Sequence, residues 1–196
     1  MRLFVAVDIP EDVRGSLAGL AIKLRTPFQS ARWAHIEGLH ITLKFIGETP
    51  AEQLELIESA LAAISSRAPI FINFCGVGFF PNARRPRVFW AGIESNPQLT
   101  ELRAAVDVAL EPLGIPREAR VFTPHLTLAR FHAPHSLDSL QAAIDKIGPL
   151  EFGSATLKEF HLYQSILKRG GAEYTRLAIF SFAGRSAEKF ARSSPE

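Results

Sequence analysis

Sliding the chain against itself by 85 positions lays Arg2–Ala6 (RLFVA) on Arg87–Ala91 (RVFWA) and His40–Leu43 (HITL) on His125–Leu128 (HLTL). Two separate segments that share one offset mark an internal duplication, and the helix-like stretches after them keep the same spacing. Two copies are too few for a stacked array, so they must close on one another as pseudo-two-fold lobes. Each copy reads strand, helix, strand, helix, strand. The expected fold is therefore α+β, with antiparallel sheets lining a central cleft and helices outside.

The elements follow from periodicity. Val13, Leu17, Leu20 and Leu24 fall on one face of a helix over 11–25. Thr49 at an N-cap, Pro50 at the first helical position and Glu52 closing a capping box predict a second helix, with Leu54, Ile57, Leu61 and Ile64 inward. Asn96 and Pro97 repeat that start before Leu99, Leu102, Val106 and Ala109, and a fourth helix follows Ser136 with Leu137, Leu140, Ile144 and Ile147. Strands are expected at about 2–8, 32–36, 39–46, 70–79, 87–93, 125–131, 155–164 and 175–182. Residues 1–184 read as a single two-lobed domain and 185–196 as a frayed tail.

Composition excludes more than it identifies. A 47% hydrophobic chain can bury a substantial core, so disorder is excluded, and a net charge of +2 is too small for a histone-like binder yet suits a protein that meets phosphate or short nucleic acid. Cys75 is the single cysteine, which rules out an internal disulfide framework and fits a reducing cytoplasm. The apolar run at the start is too short for a secretory leader, and no stretch approaches the roughly 20 apolar residues of a membrane span. A soluble, cytoplasmic monomer is expected.

The chemistry is concentrated in the duplicated strands. Side chains alternate along a strand, so His40, Thr42 and Lys44 share one face while Leu39, Ile41 and Leu43 supply the core. His125 and Thr127 repeat the device. One such histidine is ordinarily a surface or satisfied core residue, but two at equivalent places converge on the pseudo-axis, where one serves as base and the other as acid. An imidazole near its ordinary pKa of about 6.5 supplies both forms near neutrality, without a metal.

These paired His-x-Thr motifs resemble those of the 2H phosphoesterase superfamily. The blocks RLFVAVDIP, RWAHIEGLHITLKFIGE, PHLTLARF and LYQSILKRGGAEYTRL, in that order, resemble its RNA 2′,3′-cyclic phosphodiesterases, also described as 2′-5′ RNA ligases. The resemblance implies that His40 is the proton donor and His125 the proton acceptor, with Thr42 and Thr127 binding phosphate. It also implies that Phe45 lies under a nucleobase and that Arg130 reaches the phosphate. The implied substrate is RNA with a 2′,3′-cyclic phosphate end, or a cyclic nucleotide, hydrolysed to a 2′-phosphate without metal or other cofactor. Two alternatives stand beside it: 2′-5′ ligation at the same site, with a 5′-hydroxyl replacing water, and a non-catalytic module that binds RNA ends.

Some residues leave alternatives open. Strict alternation points Phe45 and Arg130 away from the histidines, so either the strands bulge or the carry-over fails, and Phe45 is then plain core. Arg130 also breaks the apolar face of Leu126 and Leu128. Tyr174 either lines the ligand cleft or packs with its hydroxyl at the surface. Arg84, Arg85 and Arg87 form a basic loop that either touches RNA or is solvated. His125, His132 and His135 lack the spacing and ligand set of a zinc site. Trp33 and Trp90 are expected in the core.

Overall fold

The computed structural model of the protein describes all residues other than 27–30, 65–66, 95, 132–137, 169–170, 184–187 and 190–196. In chain order the elements are β1 Arg2–Asp8, α1 Glu11–Arg25, β2 Arg32–Trp33, β3 His40–Glu48, α2 Leu54–Ala62, β4 Ile70–Phe80, β5 Val88–Ile93 and α3 Pro97–Leu110. They continue with β6 His125–Arg130, α4 Asp138–Ile147, β7 Glu151–Leu157, β8 Glu159–Lys168, β9 Gly171–Ser181 and β10 Glu188–Lys189. The strands make two antiparallel sheets, β3-β1-β8-β9-β10 and β2-β6-β5-β4-β7, and β3 lies against β6 where the sheets meet. The fold is α+β, as the sequence predicts.

Each sheet draws on both copies of the repeat. β1 and β3 pair in one sheet, but the strand that follows them, β4, crosses to pair with β5. In return β8, from the second half of the chain, pairs with β1. This exchange threads the halves through one continuous core, in which Val5, Ile41, Ile72, Phe89 and Leu126 are all almost fully buried. α1 and α3 bury the leucine and valine stripes that their periodicity predicts, and the Asn96 side chain accepts a hydrogen bond from the Leu99 amide as an N-cap should.

The structure corrects several local expectations. The strand predicted at 155–164 is two strands in different sheets, β7 and β8, because the chain crosses at Lys158 without the glycine or proline that would announce a break. The strand at 32–36 shrinks to Arg32–Trp33, and a 3₁₀ turn over Ile36–Gly38 leads into β3. Thr49 does not cap α2: it is buried, its amide donates to the Met1 carbonyl and its hydroxyl to the Gly47 carbonyl, while a 3₁₀ turn at Ala51–Gln53 opens the helix. Ser136 and Leu137, the expected start of the fourth helix, lie outside the described residues. Of 185–196 only Glu188 and Lys189 are described, and they pair with β9.

The repeat register needs a second offset. Ladder pairing sets Ala6 opposite Thr42 and Trp90 opposite Thr127, so β1 and β5 correspond at an offset of 84, not the 85 that relates β3 to β6. The RLFVA and RVFWA match is thus one residue out of structural register, and one residue exchanges the faces of a strand. Trp90 accordingly leaves the expected core and lies on the cleft face, whereas Phe89 is fully buried. Trp33 is partly buried and packs against the core.

Candidate active site

Both histidine strands carry a bulge at the same place. Thr42 pairs with Ala6 and Lys44 with Val5, which leaves Leu43 as an extra residue; Thr127 pairs with Trp90 and Ala129 with Phe89, which leaves Leu128 extra. A bulge reverses the alternation beyond it. Phe45 then pairs with Phe4 and Arg130 with Val88, on the same faces as His40 and His125, and both side chains are exposed, Phe45 by 65%. Phe45 is therefore not core, and Arg130 does not interrupt the apolar face of Leu126 and Leu128.

The same bulge removes Lys44 from the face on which simple alternation put it. Lys44 is buried, with Nζ 2.6 Å from Asp107 Oδ1 on α3, and Arg103 holds the other carboxylate oxygen at 3.1 Å. Buried and hydrogen-bonded to the Pro116 carbonyl as well, this cation ties β3 to the helix behind it.

The two imidazoles are held in the same way. His40 Nδ1 lies 2.8 Å from the Gly38 carbonyl and His125 Nδ1 lies 2.7 Å from the Thr123 carbonyl, each two residues upstream. A carbonyl oxygen only accepts, so Nδ1 carries the proton in both rings and Nε2 is left to accept or donate. Arg14 secures the turn before His40 by donating to the Ile36, Glu37 and Ile9 carbonyls.

Burial pushes both histidines below their ordinary value, but the neighbouring charges differ. At His40 the Gly38 hydrogen bond and the Asp8 carboxylate oppose the fall, and Arg14 adds to it. At His125 the Thr123 hydrogen bond opposes it and the Arg130 guanidinium adds to it. Asp8 sits directly across the ladder from His40. Its carboxylate accepts the Tyr163 hydroxyl at 2.6 Å and an Arg176 guanidinium hydrogen bond, and His161 Nδ1 stands 3.7 Å away. Burial, then the bond to Asp8, pushes the Tyr163 phenol up to about 12.

Aromatic rings pack against both histidines. Phe4 lies 4.7 Å from the His40 ring centroid, Tyr174 stands edge-on to His40 at 5.0 Å, and Phe80 stands edge-on to His125 at 4.8 Å. A cavity of about 1160 Å³ opens beside His40, walled by Asp8, Tyr163, Lys168, Tyr174 and Arg176; His125 is not in its wall. Thr42 and Thr127 are half-buried on the histidine faces of their strands. Arg84 and Arg85 are exposed in the loop after β4, where the Asn82 side chain accepts from both amides. His132 and His135 lie outside the described residues, and among the described residues no three metal-ligating side chains cluster. No described helix is long and apolar enough to cross a membrane.

Sequence reasoning passed over Asp8, Tyr163, Arg176 and Arg32. The first three lie within the quoted blocks but outside the His-x-Thr motifs; only the pairing of β1 with β3 and β8, and of β8 with β9, brings them beside His40. Arg32 stands directly opposite Arg130 across β2 and β6, both exposed, and among the described residues neither forms an ion pair. Like charges directly opposed in a ladder repel.

Comparison with known proteins identifies the family. The family model of the 2′-5′ RNA ligase superfamily matches residues 14–168. Curated relatives named RNA 2′,3′-cyclic phosphodiesterase include one from Archaeoglobus fulgidus, 36% identical with 92% of this chain and 99% of the relative covered. Another, from Thermus thermophilus, is 36% identical with 100% and 98% covered. Among solved structures, a Thermus thermophilus protein superposes with a TM-score of 0.79 at 34% identity, covering 94% of this chain and 99% of that one. E. coli LigT complexed with 3′-AMP gives a TM-score of 0.75 at 29% identity, covering 92% and 97%. A matching family model, full-length relatives and a duplicated pair of tethered histidines lead to one conclusion: the chain belongs to the 2′-5′ RNA ligase superfamily of 2H phosphoesterases.

Proposed function

We propose that the protein hydrolyses the 2′,3′-cyclic phosphate at an RNA 3′ end, or in a cyclic nucleotide, to a 2′-phosphate. The observation that carries this reading is the pair of identical imidazole tethers on β3 and β6, which leave two Nε2 atoms for proton transfer. The names of the curated relatives support the reaction class. His125 Nε2 takes a proton from water as its oxygen attacks phosphorus. The bond from phosphorus to the 3′ oxygen breaks, and His40 Nε2 returns a proton to that oxygen. Atoms balance: one water is consumed, and a 2′-phosphate and a 3′-hydroxyl appear.

The charge that develops on the non-bridging oxygens is met by the Thr42 and Thr127 hydroxyls and by Arg130. Phe45 and Tyr174 supply ring faces and edges for the base. The two imidazoles provide both proton transfers, so no metal or other cofactor is needed. The related family name favours one second reading, 2′-5′ ligation, in which a 5′-hydroxyl enters in place of water.

The test is turnover of a 2′,3′-cyclic mononucleotide in the presence of EDTA, with products separated by chromatography. The expected product is the 2′-monophosphate alone, and His40→Ala and His125→Ala each lose about 10² to 10⁴ in rate while remaining folded. A tenth or more of the wild-type rate in either variant removes that residue from the mechanism. Exclusive 3′-monophosphate exchanges the two roles, and activity abolished by EDTA but restored by zinc overturns the two-imidazole scheme.

A further inference from the structure

We infer that Asp8 is a positioning residue that keeps the proton on His40, and that it breaks the symmetry of the duplicated site so that the His40 end is the acid. The inference rests on the hydrolytic reading above and deepens it. Duplication alone makes the two histidines equivalent: same strand position, same bulge, same tether of Nδ1 to a carbonyl two residues upstream. Two equivalent groups can divide acid and base work in either sense, so equivalence alone does not say which end is the acid. Something outside the motif must decide.

The ladders identify it. Across from His40 stands Asp8; across from His125, at the matching position, stands Gly92. No side chain fits at Gly92, because a Cβ there would lie 2.5 Å from the Cys75 carbonyl oxygen. The next strand repeats the contrast. Tyr163 pairs with Phe4 and donates its hydroxyl to Asp8, whereas Phe80, which pairs with Val88 at the matching position, has no hydroxyl to give. A third broken pair is Phe45 and Arg130, which puts a cation on the strand of His125 and none on the corresponding place beside His40.

All three differences act in one direction. A carboxylate beside an imidazole favours the imidazolium, and a guanidinium beside one disfavours it. Around His40 the charged and titratable groups are Asp8 on β1, Arg14 on α1, His35 and Glu37 in the turn before β3, His161, Tyr163 and Lys168 on β8, and Glu173, Tyr174 and Arg176 on β9, with Lys168 and Glu173 paired to each other. Arg14 opposes Asp8 with the smaller effect of the two, and its guanidinium is itself paired with Glu11. Tyr163 and Arg176 point their donors at Asp8, which fixes the position of the carboxylate. Asp8 lines the same cavity wall as His40.

The experiment is an NMR titration of the histidine Cε1–H signals in wild type, Asp8→Asn and Asp8→Glu, run beside pH profiles of turnover on a cyclic mononucleotide. In Asp8→Asn the His40 midpoint moves to lower pH while the His125 midpoint stays. Asp8→Glu, which restores the charge, brings most of the shift back. In kinetics the Asn variant loses about tenfold above the wild-type His40 midpoint, where a protonated His40 is scarce, and agrees with wild type within about twofold well below the variant's own midpoint, where His40 is protonated without help. A merely structural role predicts an equal loss at every pH.

If Asp8→Asn does not fold, Asp8→Asn combined with Arg176→Gln removes both charges and is read by the same titration, again with a lowered His40 midpoint. An unmoved His40 midpoint, or equal movement of both histidines, overturns the inference. Failure of the functional reading is separable: a protein that turns over no cyclic nucleotide still reports the coupling of Asp8 to His40 by NMR.

Discussion

Phe45→Ala separates a ring that serves the ligand from one that serves the fold. The bulge at Leu43 leaves Phe45 65% exposed, with its ring centroid 6.2 Å from that of Phe4. A fully buried phenylalanine removes about 150–250 Å² from water, so the covered third amounts to about 70 Å². At about 25 cal/mol/Å² the truncation costs at most about 2 kcal/mol. A core phenylalanine would cost about 3–5 kcal/mol. For a chain of 196 residues the expected fall in Tm is less than about 8 °C. A base stacked on the ring is worth about 1–3 kcal/mol, which raises KM about 5-fold to 150-fold with kcat held within about threefold. The assay is steady-state kinetics on a 2′,3′-cyclic nucleotide beside thermal unfolding, with Phe45→Trp as the variant that keeps a stacking face and most of the affinity. An unchanged KM together with a Tm loss above about 10 °C would refute the reasoning, because it would return Phe45 to the core.

Three further outcomes follow from the same geometry. Arg130→Ala should lower kcat/KM about 10²-fold to 10³-fold, with Arg130→Lys recovering part and Arg32→Ala losing less; unaltered kinetics in Arg130→Ala would take the guanidinium off the phosphate. The pH profile of kcat/KM should be bell-shaped. A neutral His125 is lost as pH falls through its pKa and a protonated His40 is lost as pH rises through its own. Since burial places both below the ordinary 6.5, the maximum belongs on the acid side of neutrality, and a maximum above pH 8 would contradict that. Asp107→Ala should destabilise the fold by about 3–5 kcal/mol in denaturant unfolding, because it strands Lys44 as a buried cation; Lys44→Met combined with Asp107→Leu should cost less than the sum of the single changes.

Local patterns were legible in the chain because they are carried by neighbours in sequence. Period-two alternation around His40 and His125, leucine stripes in α1 and α3 and the Asn96-Pro97 start of α3 each depend on residues a few places apart. The offset of 85 correctly set β3 against β6, while β1 and β5 correspond at 84, a difference that only the ladders reveal. The same locality explains the failures. A bulge is a property of two strands, so neither Leu43 nor Leu128 signals it alone, and alternation sent Lys44 to the wrong face and left Phe45 and Arg130 unresolved. Likewise the change of sheet at Lys158 is invisible in a continuous apolar pattern, since only the partners of β7 and β8 differ.

What the sequence determined by itself is therefore the placement of two histidines, two threonines and an arginine in a duplicated frame, the reagents of the proposed reaction. Tertiary structure decided how those reagents differ from one another. His40 and His125 are interchangeable in the motif. They cease to be so when β1 sets Asp8 beside one and β5 sets Gly92 beside the other, and when β8 and β9 bring Tyr163 and Arg176 to hold that carboxylate. Asp8 and Arg176 are 168 residues apart in the chain, a separation spanned by the pairing of β1 with β8 and of β8 with β9. The electric field at an imidazole is set by charges within a few ångströms of it, whatever their distance along the chain.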